Sequence, residues 1–168
     1  KTANYTSRQS LVPENSTIIS NYGDWKNVIT FVGDDEEYNY HMMTVNAGAI
    51  KVGARYPHFN FDKIYCDAYE QVSYAGGQRY PEVNKAINNR MQKGSLIFAY
   101  AGHGGANGWG HERYLEISDI NKWTNKYNLP WMFNFTCSFG WIDRKSTSPS
   151  ELIFINDKGG ASAMLTTS

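Results

Sequence analysis

The chain has 168 residues, and its 16 Lys and Arg residues balance its 16 Asp and Glu residues. This length predicts a single domain over 1–168, with 1–20 as a lead-in segment. A net charge of zero gives no reason to expect nucleic acid or an anionic membrane as a partner. Because the sequence starts without Met and stops at the end of an apolar run, we expect a domain excised from a longer parent chain.

Five short apolar runs, each bounded by turn residues, predict the buried strands of a parallel sheet. They lie at 27–33, 61–69, 94–102, 130–137 and 159–168. Between the second and third runs, Val83, Ile87 and Met91 recur every four residues, which predicts an amphipathic helix. Pro81 suits the first turn of that helix, and Gly94 can end it.

Three further helices are indicated by weaker periodicity or by capping residues. Residues 40–55 form one candidate, and Ser118 is the predicted N-cap of a short one. Ser148, Pro149 and Glu151 have the spacing of a capping box, so Glu151 needs no catalytic role. Strands that alternate with helices indicate an α/β domain with a mostly parallel sheet.

Reactive residues follow two of the predicted strands. The third strand ends in Gly-His-Gly-Gly, with His103 second, and the fourth ends in Thr-Cys-Ser, with Cys137 in the middle. If these strands are neighbours, both side chains emerge at the carboxyl edge of the sheet, where α/β proteins place their sites. His103 would then favour the thiolate of Cys137, and the N–H groups of Gly104 and Cys137 could form an oxyanion hole.

The remaining cysteine and histidines are expected to have structural roles. Cys66 is predicted to lie mid-strand and buried, and His41 and His58 are predicted to be structural or surface residues. Two cysteines cannot form a disulfide framework, and their spacing from the histidines is not that of a zinc site. We therefore expect no metal and no cofactor.

Loop residues around the two motifs have alternative interpretations. Glu112 and Arg113 could bind substrate, could brace the histidine loop through an ion pair, or could be a solvated pair. Trp109 and Trp141 could line a substrate pocket, although large aromatic residues in loops also pack locally.

Taken in order, three segments resemble the gingipain-like cysteine peptidases: "YAGHGGANGWGHERYL", "NLPWMFNFTCSFGWID" and "SPSELIFINDKGGASAMLTTS". The earlier segments "GDWKNVITFVGDDEEYNYH" and "KIYCDAYEQVSYAGGQRYPEVNKAI" fit the same family, so the resemblance covers 21–168. Within the family, the chain is most similar to the type IX secretion signal peptidases (the PorU type).

The resemblance implies a caspase-like three-layer sandwich and a Cys-His dyad, formed here by Cys137 and His103. Gingipains also place an acid after the first strand to orient the histidine. Asp34 is the first choice for that acid and Asp35 the second, although the acid is a glutamate in gingipains. The family fold continues past the fifth strand, so we expect truncation there, with part of the substrate pocket missing.

The PorU-type resemblance implies protein substrates with C-terminal sorting domains, which are cleaved and joined to surface lipopolysaccharide. It also implies other secretion-system components as partners, and a location on the outer membrane surface of a Bacteroidetes-type cell. Two departures concern substrate preference. Ser138 stands where these peptidases usually carry an acid, and Trp-Ile-Asp at 141–143 stands where Arg-Phe-Asp is common.

Two classes of function are therefore weighed. In the first, the chain is the catalytic domain of a cysteine endopeptidase or transpeptidase that works through a thioester. In the second, it is a catalytically incompetent fragment or a binding module of a surface protein. The presence of both dyad residues favours the peptidase.

Overall fold

A five-stranded parallel sheet forms the centre of the chain, and two small antiparallel sheets flank it. The structure is a computed structural model that describes residues 23–168. Its strands are β1 (Val28–Gly33), β2 (Asn60–Tyr65), β3 (Val72–Tyr74), β4 (Gly77–Arg79), β5 (Ile97–Ala101), β6 (Gly104–Gly105), β7 (Gly108–Trp109), β8 (Leu115–Glu116), β9 (Trp131–Phe135) and β10 (Ala163–Thr166). Its helices are α1 (Glu36–Arg55), α2 (Pro81–Lys93), α3 (Ile117–Ile120) and α4 (Pro149–Ile155), with 3₁₀ turns at Asp24–Asn27 and Cys66–Ala68.

The central sheet has the strand order β10-β9-β5-β1-β2, and every neighbouring pair is parallel. These are the five strands that the apolar runs predict, so that prediction is confirmed. All five carboxyl ends face the same edge, because parallel strands run in one direction. The predicted lead-in segment, 1–20, lies outside the described residues.

Helices cover both faces of the sheet and bury a separate core on each. On one face, α1 supplies Val45 and Ala49 to a cluster with residues of β1 and β5. On the other face, α2 supplies Val83, Ile87 and Met91, the three residues of the predicted helical pattern, to a larger cluster. The result is a three-layer α/β/α sandwich, as expected.

The helix ends follow the predicted capping chemistry in two cases out of three. Ser148 caps α4 and exchanges hydrogen bonds with Glu151, which confirms the capping box. Helix α2 begins at Pro81 and ends before Gly94, as predicted. Ser118 is not an N-cap, because α3 begins one residue earlier and its capping box is formed by Glu116 and Asp119.

Two glycine-rich segments outside the five main strands contain short strands. β3 and β4 form a hairpin around the Ala-Gly-Gly-Gln segment, and β6, β7 and β8 form a three-stranded sheet from the histidine loop. These strands are two or three residues long, too short to show an alternating pattern. Cys66 was expected mid-strand, but β2 ends at Tyr65 and Cys66 begins a 3₁₀ turn.

Helix α1 starts with an irregular turn. Glu37, Tyr38 and Asn39 have φ values of 53°, 57° and 64°, in the left-handed region, and the helix runs on to Arg55. The regular part thus matches the predicted helix over 40–55. Each left-handed residue with a side chain costs about 1–2 kcal/mol, so the turn needs support from its surroundings.

None of the helices within 23–168 combines the length and the apolar character that a membrane span requires.

Candidate active site

His103 and Cys137 stand at equivalent positions beyond two neighbouring strands. β5 and β9 are adjacent and parallel, and Ala101 of β5 pairs with Phe135 of β9. His103 and Cys137 each follow two residues later, and the N–H of Gly102 donates to the carbonyl of Phe135 at 3.2 Å. Neighbouring strands lie about 4.8 Å apart, so the two residues follow adjacent strand ends at the same edge of the sheet. The structure therefore confirms that these strands are neighbours.

Cys137 is a free thiol on the surface, whereas Cys66 is buried. The residue after Cys137, Ser138, has a φ of 53°, a left-handed conformation that turns the chain sharply at the end of the strand. Strained residues of this kind cluster at functional sites. Burial raises the pKa of the Cys66 thiol, and the nearby charge of Asp35 raises it further. Only Cys137 is thus accessible to a substrate.

The carboxylate that meets the imidazole of His103 belongs to Glu36. Oε2 of Glu36 lies 3.2 Å from Nε2 of His103, and Oε1 of Glu37 lies 3.6 Å from the same nitrogen. The other oxygen of Glu36 lies 2.8 Å from Nδ1 of His111. This contact raises the pKa of His111. Glu36 therefore holds two imidazole rings, which stack with their centroids 5.4 Å apart.

Asp34 was expected to contact the ring of His103, but it binds the backbone instead. Its fully buried carboxylate accepts the N–H of His103 and the N–H of Glu36, each at 2.7 Å. The reason is that Asp34 continues the β1–β5 pairing, since its own N–H donates to Ala101, so its side chain meets the nearest backbone donors. Asp34 fixes the histidine loop, while Glu36 faces the ring.

Asp35 points away from the histidine, as the alternation of side chains predicts. Its two carboxylate oxygens accept hydrogen bonds from the hydroxyl groups of Tyr80 and Tyr114. Sequence reasoning missed Glu36 as the partner of the ring, although a signal was present. The acid of gingipains is a glutamate, and Glu36 is the first glutamate after β1.

Gly104, one of the predicted oxyanion donors, packs directly against the end of β9. A Cβ at this position would lie 2.3 Å from the hydroxyl oxygen of Thr136, the residue before Cys137. Only glycine therefore lets the histidine loop approach this closely. The close approach places the backbone of Gly104 beside the end of β9, which Cys137 follows. The oxyanion role of Gly104 and Cys137 stays a prediction.

Trp109 was expected to line a substrate pocket; it lies at the wall of a cavity of about 370 Å³ in the histidine loop, but its side chain is part of the core. The indole is fully buried and stacks on Tyr100 with the ring centroids 4.3 Å apart. Phe98 and Phe139 lie against the same ring. The correction follows from β7, since its pairing with β6 and β8 turns Trp109 inward.

Trp141 lines an open cleft, and its side chain is exposed. The cleft has a volume of about 560 Å³, and Trp141 shares its wall with Ser138, Ile142, Asp143 and Ser168. The indole is 43% exposed, and the guanidinium of Arg144 lies 5.2 Å from its ring centroid. The cleft begins at the residue after Cys137, and the substrate-binding role of Trp141 stays a prediction.

Glu112 does not form the ion pair with Arg113 that was one of its three interpretations, and its substrate-binding role stays a prediction. Arg113 contacts Glu116 at 3.2 Å instead, while Glu112 is buried. Burial raises the pKa of Glu112, and its Oε2 has no hydrogen-bond partner among residues 23–168. Neither a solvated pair nor a loop-bracing pair describes this residue.

The family model for peptidase family C25 matches residues 2–168. The chain belongs to peptidase family C25. No curated protein sequence matches it. Membership confirms the resemblance to the gingipains that the sequence motifs indicate.

Solved structures of the same fold support the architecture. The chain is 15% identical to the Arg-specific cysteine proteinase gingipain R (RgpB), covering 95% of this chain and 34% of that one, with a TM-score of 0.63. It is 16% identical to a chain in the complex of the pro- and mature domains of Porphyromonas gingivalis RgpB, covering 96% of this chain and 36% of that one, with a TM-score of 0.67. A third structure, described as a protease, shows 18% identity, 86% and 29% coverage, and a TM-score of 0.59. This C25 chain thus spans about a third of the length of the structures it matches.

Proposed function

We propose that the C25 chain is the catalytic part of a cysteine endopeptidase that uses Cys137 and His103 as its dyad. The observation that carries the proposal is the β5–β9 register, which brings both residues to equivalent positions at one sheet edge. The thiol is exposed, the imidazole is half-buried, and Glu36 holds the imidazole through Nε2. An accessible thiol beside an oriented base is the arrangement that nucleophilic catalysis requires.

The reaction proceeds through a thioester. His103 takes the proton of the Cys137 thiol, and the thiolate sulfur bonds to the carbonyl carbon of the scissile peptide. The C–N bond then breaks, and His103 returns the proton to the leaving amine. Water or a second amine attacks the thioester, releases the thiol and forms either an acid or a new amide. Glu36 stabilises the imidazolium at each proton transfer.

The substrate proposed is a secreted protein with a C-terminal sorting domain. Support comes from the motifs that resemble the PorU-type signal peptidases and from the cleft beside Trp141, which is open enough for an extended peptide. In this proposal the enzyme works at the cell surface with other secretion components. An amine on surface lipopolysaccharide is the acyl acceptor.

Trapping the thioester tests the whole proposal. The full protein is mixed with a substrate that carries a sorting domain, quenched in acid and analysed by intact-mass spectrometry and peptide mapping. We expect the mass of the cargo fragment on Cys137, release of the sorting domain, and no adduct in Cys137→Ala. Cys66→Ala is the matched control and should form the adduct normally.

Each outcome has a distinct meaning. An added primary amine should take up the acyl group as a new amide, with release of the Cys137 thiol, if the enzyme is a transpeptidase, and hydrolysis alone would limit the proposal to a peptidase. Binding of the sorting domain without cleavage or adduct would overturn the catalytic proposal and favour a binding module.

A further inference from the structure

A cluster of metal-ligating side chains lies against the catalytic imidazole. Glu37, His41 and His103 each offer a donor atom, and these three atoms lie within 4.8 Å of one another. Nε2 of His103 is 3.6 Å from Oε1 of Glu37, and Nε2 of His41 is 3.7 Å from Oε2 of Glu37. Nothing in the dyad chemistry requires Glu37 or His41 in this place.

We propose that Glu37, His41 and His103 bind a divalent transition-metal ion, Zn²⁺ in particular, which reversibly blocks the catalytic histidine. Two imidazoles and one carboxylate are a ligand set that Zn²⁺ favours. Bonds of about 2.0–2.1 Å in a tetrahedral site place neighbouring donors roughly 3.4 Å apart. The two separations of 3.6 and 3.7 Å are close to that value, so small side-chain movements complete the site.

His41 supplies an independent observation. Its Nε2 is buried and has no hydrogen-bond partner within the described part of the chain. The nearest carboxylate oxygen, at 3.7 Å, is too distant for a hydrogen bond. A buried polar atom without a partner costs about 1–3 kcal/mol, so it is retained where it has another use. The ring also packs edge-on against His103, with the centroids 5.1 Å apart, which keeps the two imidazoles together.

The left-handed turn at the start of α1 points to the same place. Glu37 is its first residue, and His41 follows two residues after its end. Strained backbone persists where surrounding interactions over-determine it, and it clusters at functional sites. The ion-pair partners of Glu37 are the two imidazoles of His41 and His103. A metal ion shared by the three side chains would hold the strained turn in place.

Glu36 is placed to complete the coordination. Its Oε2 lies 3.2 Å from the same Nε2 of His103, so it can occupy a fourth position around the ion. A metal bound to this nitrogen takes the place of the proton that Glu36 stabilises, and its positive charge disfavours protonation of the other ring nitrogen by the Cys137 thiol. Bound Zn²⁺ therefore inhibits the proposed peptidase, and a chelator restores it. The inhibition rests on the proposed function, whereas the binding itself does not.

Calorimetric titration of the full protein with ZnCl₂, after treatment with a chelator and buffer exchange, measures the binding directly. We expect one Zn²⁺ per chain, and a dissociation constant raised about 10–100-fold in His41→Ala and in Glu37→Gln. The Glu37 side chain is 59% exposed, so its replacement tests the ligand without disturbing the fold. His58 is exposed and is not one of the proposed ligands, so His58→Ala should bind Zn²⁺ with the affinity of the unmodified protein.

Cys137→Ala separates this site from a simpler one in which zinc sits on the catalytic pair alone. We expect it to keep the affinity of the unmodified protein. Loss of binding in Cys137→Ala, or unchanged binding in both Glu37→Gln and His41→Ala, would overturn the proposal. A protein that binds Zn²⁺ through these ligands but never cleaves a peptide would contradict the proposed function and leave the metal site standing.

Discussion

The ends of β9 and β2 offer the same residue type at the same topological place. Each of these parallel strands is followed by a cysteine, within two residues of its last residue, at the carboxyl edge of the sheet. Cys137 is exposed and its neighbouring strand β5 brings a histidine, whereas Cys66 is fully buried and its neighbouring strand β1 brings Asp34 and Asp35. An imidazole beside a thiol favours the thiolate, while buried carboxylates oppose it.

A position at the sheet edge does not by itself make a cysteine reactive. The neighbouring strand decides the charge that the thiol meets, and the following residues decide whether solvent reaches it. Ser138 turns the chain away in a left-handed conformation, whereas Cys66 begins a 3₁₀ turn and is fully buried.

Alkylation should distinguish the two cysteines almost completely. In a short pulse of limiting iodoacetamide, we expect Cys137 to be labelled and Cys66 to stay unlabelled. Burial both hides the Cys66 thiol and raises its pKa, which lowers the fraction of reactive thiolate. Peptide mapping by mass spectrometry gives the ratio, and a denatured sample, in which both cysteines react, is the control. Faster labelling of Cys66 would reverse the comparison.

Removing the imidazole of His103 should abolish most of the peptidase activity that depends on Cys137. We expect His103→Ala to lower peptidase turnover by about 10²–10⁴-fold, because it removes the general base. The side chain is half-buried at a loop, so the melting temperature should change little. His58→Ala, at an exposed position, is the matched control. Wild-type turnover in His103→Ala would exclude the dyad.

Replacing Glu36 and replacing Asp34 should change different properties of the protein. Glu36→Gln should lower turnover about tenfold, the effect of losing about 1.4 kcal/mol of imidazolium stabilisation, with little change in unfolding temperature. Asp34→Asn should instead lower the free energy of unfolding by about 1–3 kcal/mol, because a buried carboxylate that accepts two N–H groups is replaced. Kinetics and thermal unfolding of both variants decide, and the reverse pattern would return the orienting role to Asp34.

The approach of the histidine loop to β9 should be sensitive to one methyl group. Gly104→Ala would place a Cβ 2.3 Å from the Thr136 hydroxyl, so we expect a loss of about 1–3 kcal/mol in the free energy of unfolding. At Gly105, nothing lies within 4 Å of the corresponding Cβ, which makes Gly105→Ala a close control. Denaturant titrations that find equal stabilities would contradict the packing of Gly104 on Thr136.

The smallest effect concerns the buried acid near the Cys66 end. Burial raises the pKa of Glu112, so the folded protein holds a proton that the unfolded chain releases. Stability from this group is therefore present at low pH and falls as pH rises above the ordinary glutamate pKa. Glu112→Gln, which stays neutral, should melt higher than the unmodified protein at pH 7, and the gap should close near pH 4. A constant gap across this range would show that ionisation is not the cause.

The sequence by itself determined the central sheet, indicated the three-layer arrangement through its resemblance to the gingipains, and singled out His103 and Cys137 as the candidate dyad. Apolar runs set the five strands, the spacing of Val83, Ile87 and Met91 set a helix, and local capping residues set two helix boundaries. These patterns act over a few residues, so they can be read along the chain. The order of the motifs along the chain is enough to indicate the gingipain family.

Only the tertiary structure decided which acid meets the imidazole, which tryptophan reaches solvent, and which histidine joins His103. Glu36 and Asp34 are two residues apart, and the pairing of β1 with β5 sends Asp34 to the backbone and leaves the ring to Glu36. Trp109 is turned inward by strands too short to be predicted, and His41 reaches the site through a left-handed turn that no propensity favours. Each of these outcomes depends on contacts between distant parts of the chain, and a single sequence carries no direct record of them.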